Sequence, residues 1–137
     1  MAGNSLRVLV VDDELLIRWS LSEGLTASGH SVLQAETALE ALGLIENSRD
    51  PVDAVVLDYH LPDSYELQLF TSIRERLPRA AIVIMTGFIG ANAKAEALAR
   101  GAYAVVIKPF NVIALERLLL RAVAAQAEHP THTRDAL

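Results

Sequence analysis

Short apolar runs alternate with longer amphipathic segments along the chain, and the alternation repeats five times. The apolar runs cover residues 6–11, 31–36, 53–57, 81–85 and 103–107. Short runs that are almost continuously apolar are typical of strands buried on both faces of a sheet. Strands that alternate with amphipathic helices predict a parallel sheet covered by helices on both sides. The pattern therefore predicts a three-layer α/β fold of (βα)5 type.

Capping residues indicate where several of the helices begin. Thr37 and Glu40 fit the S/T-x-x-E capping box, so the second helix is predicted to start there. The third helix is predicted to be capped by Asp63 or Ser64. Asn111 is predicted to cap the last helix, which directly follows the fifth apolar run.

The composition describes one globular domain. Of the 137 residues, 52% are hydrophobic and 21% are charged. The domain is predicted to cover residues 1–127, and the polar residues 128–137 are expected to form a flexible C-terminal tail. A net charge of −5 argues against direct binding of nucleic acid, and the absence of cysteine excludes disulfides and thiol chemistry.

The longest apolar stretches are too short to cross a membrane. The first residues also lack the basic and then apolar layout of a secretory signal. A cytoplasmic location without membrane contact is therefore expected.

Polar residues follow four of the apolar runs at the point where each run ends. They are Asp12 and Asp13 after the first run, Asp58 after the third, Thr86 after the fourth and Lys108 after the fifth. Because ligands of open parallel sheets bind outside the carboxyl ends of the strands, these side chains are expected to converge. Three carboxylates, a hydroxyl and an ammonium at one edge predict a site for a metal ion and a phosphoryl group.

The residue types fit that chemistry. Asp12 and Asp13 repel each other at the end of a buried strand, and a hard cation such as Mg²⁺ relieves the repulsion. Taken alone, Asp13 fits the cap of the next helix equally well. The carboxylate of Asp58 is a nucleophile able to form an aspartyl phosphate. It is a weak one, so it needs a metal ion and a fixed cation, here Lys108, to screen the phosphoryl oxygens.

Taken together, the motifs resemble the receiver domain of bacterial two-component response regulators over about residues 5–125. The motifs are Val-Leu-Val-Val-Asp-Asp-Glu at 8–14, Asp58-x-x-Leu-Pro62, Met85-Thr86-Gly87 and Ile107-Lys108-Pro109-Phe110. Residues 16–21 and the loop 58–64 are most similar to receivers of nitrogen-regulatory transcription activators. The resemblance implies a flavodoxin-like fold with strand order 2-1-3-4-5.

The resemblance also implies roles for individual residues. Asp58 would accept a phosphoryl group from a sensor histidine kinase or a phosphotransfer protein, and Thr86 and Lys108 would contact that group. The implied Mg²⁺ ligands are Asp12, Asp13, Asp58 and the backbone carbonyl of His60. Phosphorylation would switch a surface of helix 4, strand 5 and helix 5 that controls homodimerisation or partner binding. Such a domain is no enzyme in the usual sense, since it catalyses only its own phosphotransfer and dephosphorylation.

Two departures from the family pattern leave an alternative open. Val105 stands where the family often has an aromatic residue, and Tyr65-Glu66 replaces a glycine in the loop after Asp58. The second departure predicts that this loop is already helical. The alternative function is a constitutive protein-interaction scaffold with a vestigial, non-phosphorylated pocket. A phosphatase with an aspartyl nucleophile is disfavoured, because such enzymes need a second carboxylate where His60 stands.

Overall fold

The computed structural model describes residues 5–65, 67–108 and 111–128, and in these ranges five strands alternate with five helices. The strands are β1 (Arg7–Val11), β2 (Ser31–Ala35), β3 (Ala54–Asp58), β4 (Ala81–Thr86) and β5 (Ala104–Ile107). The helices are α1 (Leu15–Ala27), α2 (Ala38–Asn47), α3 (Gln68–Arg76), α4 (Ala91–Ala99) and α5 (Val112–Glu128). The predicted tail after Glu128 and the motif residues Pro109 and Phe110 lie outside the described residues.

All strand pairs of the sheet are parallel, in the order β2-β1-β3-β4-β5. This confirms the predicted α/β class and the flavodoxin-like strand order. The register pairs Val11 with Leu57, Asp58 with Met85, and Thr86 with Ile107. The ends of β1, β3, β4 and β5 therefore meet at one edge, which is here called the carboxyl edge.

Each face of the sheet carries its own core because alternate strand residues point to opposite faces. Val55 and Ile82 belong to the core that includes Phe70 of α3. Val56 and Val83 belong to the core that α1 and α5 cover on the other face. Coverage of both faces explains why β3 and β4 are buried and apolar along almost their whole length. Within the described ranges, no helix combines the length and hydropathy that crossing a membrane requires.

Two of the predicted helix caps are confirmed. The side chain of Thr37 accepts a hydrogen bond from the backbone N–H of Glu40 at 3.1 Å, and α2 begins at the next residue. The carboxylate of Glu40 accepts in return from the backbone N–H of Glu36 at 2.7 Å, one residue before the cap. Asn111 Oδ1 accepts from the N–H of Ala114 at 3.0 Å and caps α5.

The predicted cap of the third helix is wrong. The carboxylate of Asp63 accepts from the N–H of Ala38 at 2.7 Å and of Leu39 at 3.1 Å, which belong to the first turn of α2. The bond from Ala38 is the main cause that lowers the pKa of Asp63. The loop after β3 passes the N-terminus of α2, whose free N–H groups and positive dipole end attract the carboxylate.

The third helix therefore starts later than predicted. It begins at Gln68, and its N-cap residue Leu67 makes no capping hydrogen bond through its side chain. Tyr65 is not helical, so the prediction that the loop after Asp58 is already helical is wrong there. Glu66 lies outside the described residues. Residues 59–65 consequently form a loop, and this loop carries His60 beside the carboxyl edge.

Helices α1 and α5 approach each other closely at Gly24. A Cβ atom on Gly24 would lie 2.5 Å from Cγ1 of Val112, which is too close for any side chain without a shift. Five residues later, Gly29 has a φ of 95°, a conformation that favours glycine and ends the helix.

Candidate functional site

The polar residues that follow the strands meet at the carboxyl edge, as predicted. Asp12, Asp58 and Thr86 are buried there, with exposed fractions of 0%, 5% and 0%. The backbone ladder continues past the strand ends, because the N–H of Asp12 donates to Ala35 and the N–H of Lys108 donates to Thr86. The parallel strand pairing that forms the sheet thus fixes the backbone positions from which these side chains extend.

Three carboxylates form a compact group at this edge. Oxygen atoms of Asp12, Glu14 and Asp58 lie within 4.8 Å of one another. Glu14 was not among the residues predicted for the site, and Asp13, which was, is exposed and lines the adjoining cavity. The N–H of Glu14 donates to Oδ1 of Asp12 at 2.7 Å, an Asx turn that folds the chain back beside Asp12. An Asx turn after the strand is the signal that indicates residue 14.

Lys108 places its ammonium among these carboxylates. Its Nζ lies 2.9 Å from Oδ2 of Asp12, 3.0 Å from Oε1 of Glu14 and 3.4 Å from Oδ2 of Asp58. Burial on its own would lower the pKa of Lys108. The contacts with Asp12 and Glu14 raise it by a larger amount, so the pKa lies above its ordinary value. The lysine is therefore protonated at neutral pH. It also contacts Asp58, but at a longer distance than it contacts Asp12 and Glu14.

Asp58 is poorly stabilised as an anion. Its pKa is raised to about 6, chiefly because burial removes water from the carboxylate, and the negative charge of Asp12 adds to the effect. The N–H of His60, which donates to Oδ1 at 3.1 Å, and the ammonium of Lys108 lower the pKa and offset part of this rise. A buried carboxylate of this kind gains from any added positive charge.

Among the described residues, one oxygen of the group lacks a hydrogen bond. Oδ2 of Asp12 is buried and pairs with Lys108 Nζ at 2.9 Å, but the contact does not have hydrogen-bond geometry. An ionised carboxylate has about four lone-pair sites on its two oxygens, so Asp12 can accept a second cation beside the ammonium. Carboxylate oxygens are the ligands that hard divalent cations prefer. The residues present therefore fit a divalent metal ion.

The acidic group opens into a cavity of about 840 Å³. On one side the cavity is lined by site residues such as Asp58, His60 and Lys108. On the other side it is lined by Leu16 and Ile17 of α1, among other residues. The cavity gives a phosphoryl donor and water a path to Asp58.

Thr86 points its hydroxyl into the loop that follows β4. Its Oγ1 donates to the backbone carbonyl of Phe88 at 2.8 Å and accepts from the N–H of Phe88 at 3.2 Å. The same carbonyl is contacted by Nε2 of His60 at 3.2 Å. Thr86 thus lies at the predicted edge, but its hydroxyl is engaged by its own loop.

Comparison with known proteins identifies the family. The model of the response regulator receiver domain matches residues 8–120, which is most of the chain. The chain is a receiver domain. Its likeness to the nitrogen-regulatory type is confirmed by the DNA-binding transcriptional regulator NtrC of Proteus hauseri, which is 33% identical over 128 residues. That match covers 93% of this chain and 25% of NtrC.

Two further proteins resemble this chain, one compared by sequence and one by structure. Response regulator MprA of Mycobacterium sp. (strain KMS) is 38% identical over 116 residues, which cover 85% of this chain and 48% of MprA. A receiver domain protein (CheY-like) from Methanospirillum hungatei JF-1 matches with a TM-score of 0.83 and 28% identity, over 90% of this chain and 98% of that structure. The receiver spans about half, or less, of the length of these curated relatives.

Val105, the first departure from the family pattern, lies outside the acidic group and is half-buried against the core beneath α3. Tyr65, which belongs to the second departure, also lies outside the group. The receiver keeps Asp12, Asp58, Thr86 and Lys108 together at one edge despite this change. The acidic group therefore favours a phosphoacceptor over the scaffold alternative.

Proposed function

We propose that this receiver accepts a phosphoryl group on the carboxylate of Asp58. The observation that supports this most is the environment of Asp58, a buried carboxylate with a raised pKa that lies 3.4 Å from the ammonium of Lys108. It stands in an acidic pocket with Asp12 and Glu14, at the wall of an open cavity. The donor is the phosphohistidine of a sensor kinase or of a phosphotransfer protein.

In the transfer step, a carboxylate oxygen of Asp58 forms a bond to phosphorus, and the bond between phosphorus and the donor's imidazole nitrogen breaks. That nitrogen keeps the electron pair and takes a proton from solvent. Lys108 supplies a fixed positive charge for the phosphoryl oxygens. The N–H of His60 holds Oδ1 of Asp58 at 3.1 Å and orients the carboxylate.

Mg²⁺ is the metal ion we propose for the acidic pocket. Asp12, Asp13, Asp58 and the backbone carbonyl of His60 would hold it, and Glu14 adds a further oxygen to the pocket. When bound, the ion neutralises charge on the phosphoryl oxygens and on the carboxylates that surround them. Waters from the open cavity would complete the octahedral shell that Mg²⁺ requires.

The phosphorylated state is proposed to differ at two side chains. Lys108 turns from Asp12 and Glu14 to the new phosphoryl oxygens, and the hydroxyl of Thr86 leaves the carbonyl of Phe88 to reach them. Movement of Thr86 releases the loop before α4. The surface of α4, β5 and α5 then changes, which controls homodimerisation or partner binding. Large apolar side chains are exposed on this surface, namely Leu98, Tyr103, Ile107 and Ile113.

Phosphorylation by a small donor tests the central proposal. The wild type, Asp58→Asn and Asp50→Asn are incubated with acetyl phosphate and Mg²⁺, and their intact masses are measured. Asp50 is an exposed aspartate in the turn before β3 and serves as the matched control. The wild type and the control are expected to gain one phosphoryl group, and Asp58→Asn none. Equal gain by Asp58→Asn, or no gain by the wild type, would contradict the proposal.

Sedimentation with and without beryllium fluoride and Mg²⁺ tests the output surface. The analogue is expected to increase the mass of the wild type, and Ile113→Lys, which places a charge on the exposed surface of α5, is expected to reduce that increase. An unchanged mass in the presence of bound analogue would reject homodimerisation and leave partner binding as the output.

A further inference from the structure

The carbonyl oxygen of Phe88 receives two hydrogen bonds from different parts of the receiver. Thr86 Oγ1 lies 2.8 Å from it and His60 Nε2 lies 3.2 Å from it. A carbonyl oxygen only accepts, so the hydroxyl donates and the bonded Nε2 of His60 carries a hydrogen. The carbonyl has two lone pairs, and both are engaged in this arrangement.

The loop that contains this carbonyl is held lightly by packing. A Cβ atom on Gly87 or on Gly90 would meet no atom of the described residues within 4 Å, and the side chain of Phe88 is 76% exposed. Segments with few buried contacts have low local stability. The hydrogen bonds at Phe88 therefore account for much of what fixes the loop in its present conformation.

His60 is itself well placed to hold the loop. Its backbone N–H donates to Oδ1 of Asp58, so the residue is attached to the phosphoacceptor. Its imidazole contacts the ring of Tyr59 edge-on, with centroids 4.8 Å apart and an angle of 85° between the planes. Because this contact orients the imidazole, His60 Nε2 is directed toward Phe88 before any ligand binds.

We propose that His60 is a positioning residue that holds the β4–α4 loop in its resting conformation, a role here called the latch. His60 thereby sets the free-energy cost of moving the hydroxyl of Thr86 toward Asp58. The hydroxyl of Thr86 has to leave the carbonyl of Phe88 to reach a phosphoryl group. While His60 holds that carbonyl in place, the resting partner of Thr86 remains available. Without the imidazole donor, the carbonyl turns to water and the resting conformation loses stability. The inference rests on the proposed function of Asp58.

Two substitutions separate the donor from the rest of the side chain. His60→Ala removes the donor, and His60→Gln keeps an N–H group of similar reach. Both leave the backbone N–H and carbonyl of residue 60 intact, and His60 is exposed, so both variants are expected to fold. The dissociation constant for beryllium fluoride with Mg²⁺ is then measured. Because the analogue is not hydrolysed, access of water to Asp58 does not affect the result.

His60→Ala is expected to bind beryllium fluoride about threefold to tenfold more tightly than the wild type, which corresponds to one ordinary hydrogen bond. His60→Gln is expected to stay within about twofold of the wild type, since the bond is kept. Equal affinity of His60→Ala and the wild type would overturn the latch. Equal tightening by both substitutions would overturn it too, because the donor would then not be the cause.

Hydrogen exchange of the Phe88 amide in the resting protein gives an independent result. This N–H donates to Thr86 Oγ1, so its protection reports the resting loop without any phosphoryl analogue. It is expected to exchange about threefold to tenfold faster in His60→Ala and at the wild-type rate in His60→Gln. Faster exchange without binding of the analogue at Asp58 would support the latch and reject the proposed function. Unchanged exchange in His60→Ala would reject the latch even if Asp58 is phosphorylated.

Discussion

The two edges of the sheet differ in how completely their polar side chains are paired. At the amino edge, where the strands begin, His30 and Asp53 have fixed partners, although Nε of Arg7 is buried there without a hydrogen bond among the described residues. Nδ1 of His30 accepts from the N–H of Leu6 at 2.9 Å, and its Nε2 lies 2.8 Å from Glu116 of α5. Oδ2 of Asp53 accepts from the N–H of Arg7 at 2.8 Å. Each of these side chains satisfies a backbone group at the edge, so they stabilise the fold.

At the carboxyl edge the partners are incomplete or shared. Oδ2 of Asp12 has no hydrogen bond, and the ammonium of Lys108 is divided among three carboxylates. Asp58 carries a raised pKa because burial outweighs the groups that stabilise its charge. The difference indicates that this receiver gives up stability at the edge proposed for phosphorylation and gains it at the other edge.

The largest expected effect tests whether the carboxyl edge lowers stability. Folding raises the pKa of Asp58 from 3.8 to about 6. The native state therefore binds more protons than the unfolded chain between about pH 4 and about pH 6. Stability from this group is therefore lost as the pH rises from about 4 to about 6. At pH 7.5 without divalent metal, Asp58→Asn is expected to stabilise the receiver by about 2–3 kcal/mol. Urea unfolding in a chelating buffer at several pH values measures this.

The exposed control Asp50→Asn is expected to change stability by less than about 0.5 kcal/mol under the same conditions. Addition of Mg²⁺ is expected to stabilise the wild type more than Asp58→Asn, since the amide offers no charge to the ion. If Asp58→Asn is no more stable than the wild type at pH 7.5, the charged carboxylate of Asp58 does not lower the stability of the fold, and the inference from its burial is wrong.

The opposite edge predicts the opposite sign. His30→Leu leaves the N–H of Leu6 without its acceptor and Glu116 without its partner, so it is expected to cost about 2 kcal/mol of stability. Phosphorylation by acetyl phosphate at low temperature is expected to proceed as in the wild type. Glu116→Gln keeps an acceptor for Nε2 of His30 and is expected to cost about 0.5 kcal/mol. A slower phosphorylation of folded His30→Leu would show that the two edges are coupled.

The sequence predicted more of the fold and of the carboxyl edge than of the loops between them. Apolar runs identify buried strands, and a polar residue directly after a run must lie at an edge, so Asp58, Thr86 and Lys108 were found. The cap formed by Asp63 was assigned to the wrong helix, because Asp63 caps α2, which begins about 25 residues before it, and no local pattern specifies such a contact. The Asx turn that places Glu14 beside Asp12 spans two residues, so it is a local signal that was not used.

The smallest effect concerns the helix pair that reaches both edges. Helix α5 carries Glu116 of the amino edge and Val112, which lines the cavity at the carboxyl edge. In Gly24→Ala the new Cβ would lie 2.5 Å from Val112, so overpacking is expected to outweigh the gain in helix propensity, with a net cost of about 1 kcal/mol. Thermal unfolding of Gly24→Ala and of the double variant with Val112→Ala measures this cost and its relief.

Overpacking in Gly24→Ala acts on α5, and this helix reaches both edges of the sheet. The acidic group is attached to β1, β3 and the chain after β5, so beryllium fluoride is expected to bind Gly24→Ala with the wild-type affinity. An affinity that changes in Gly24→Ala and recovers in the double variant would show that the position of α5 is felt at Asp58. The two edges would then be independent in their hydrogen bonding, but they would be coupled through the packing of α1 on α5.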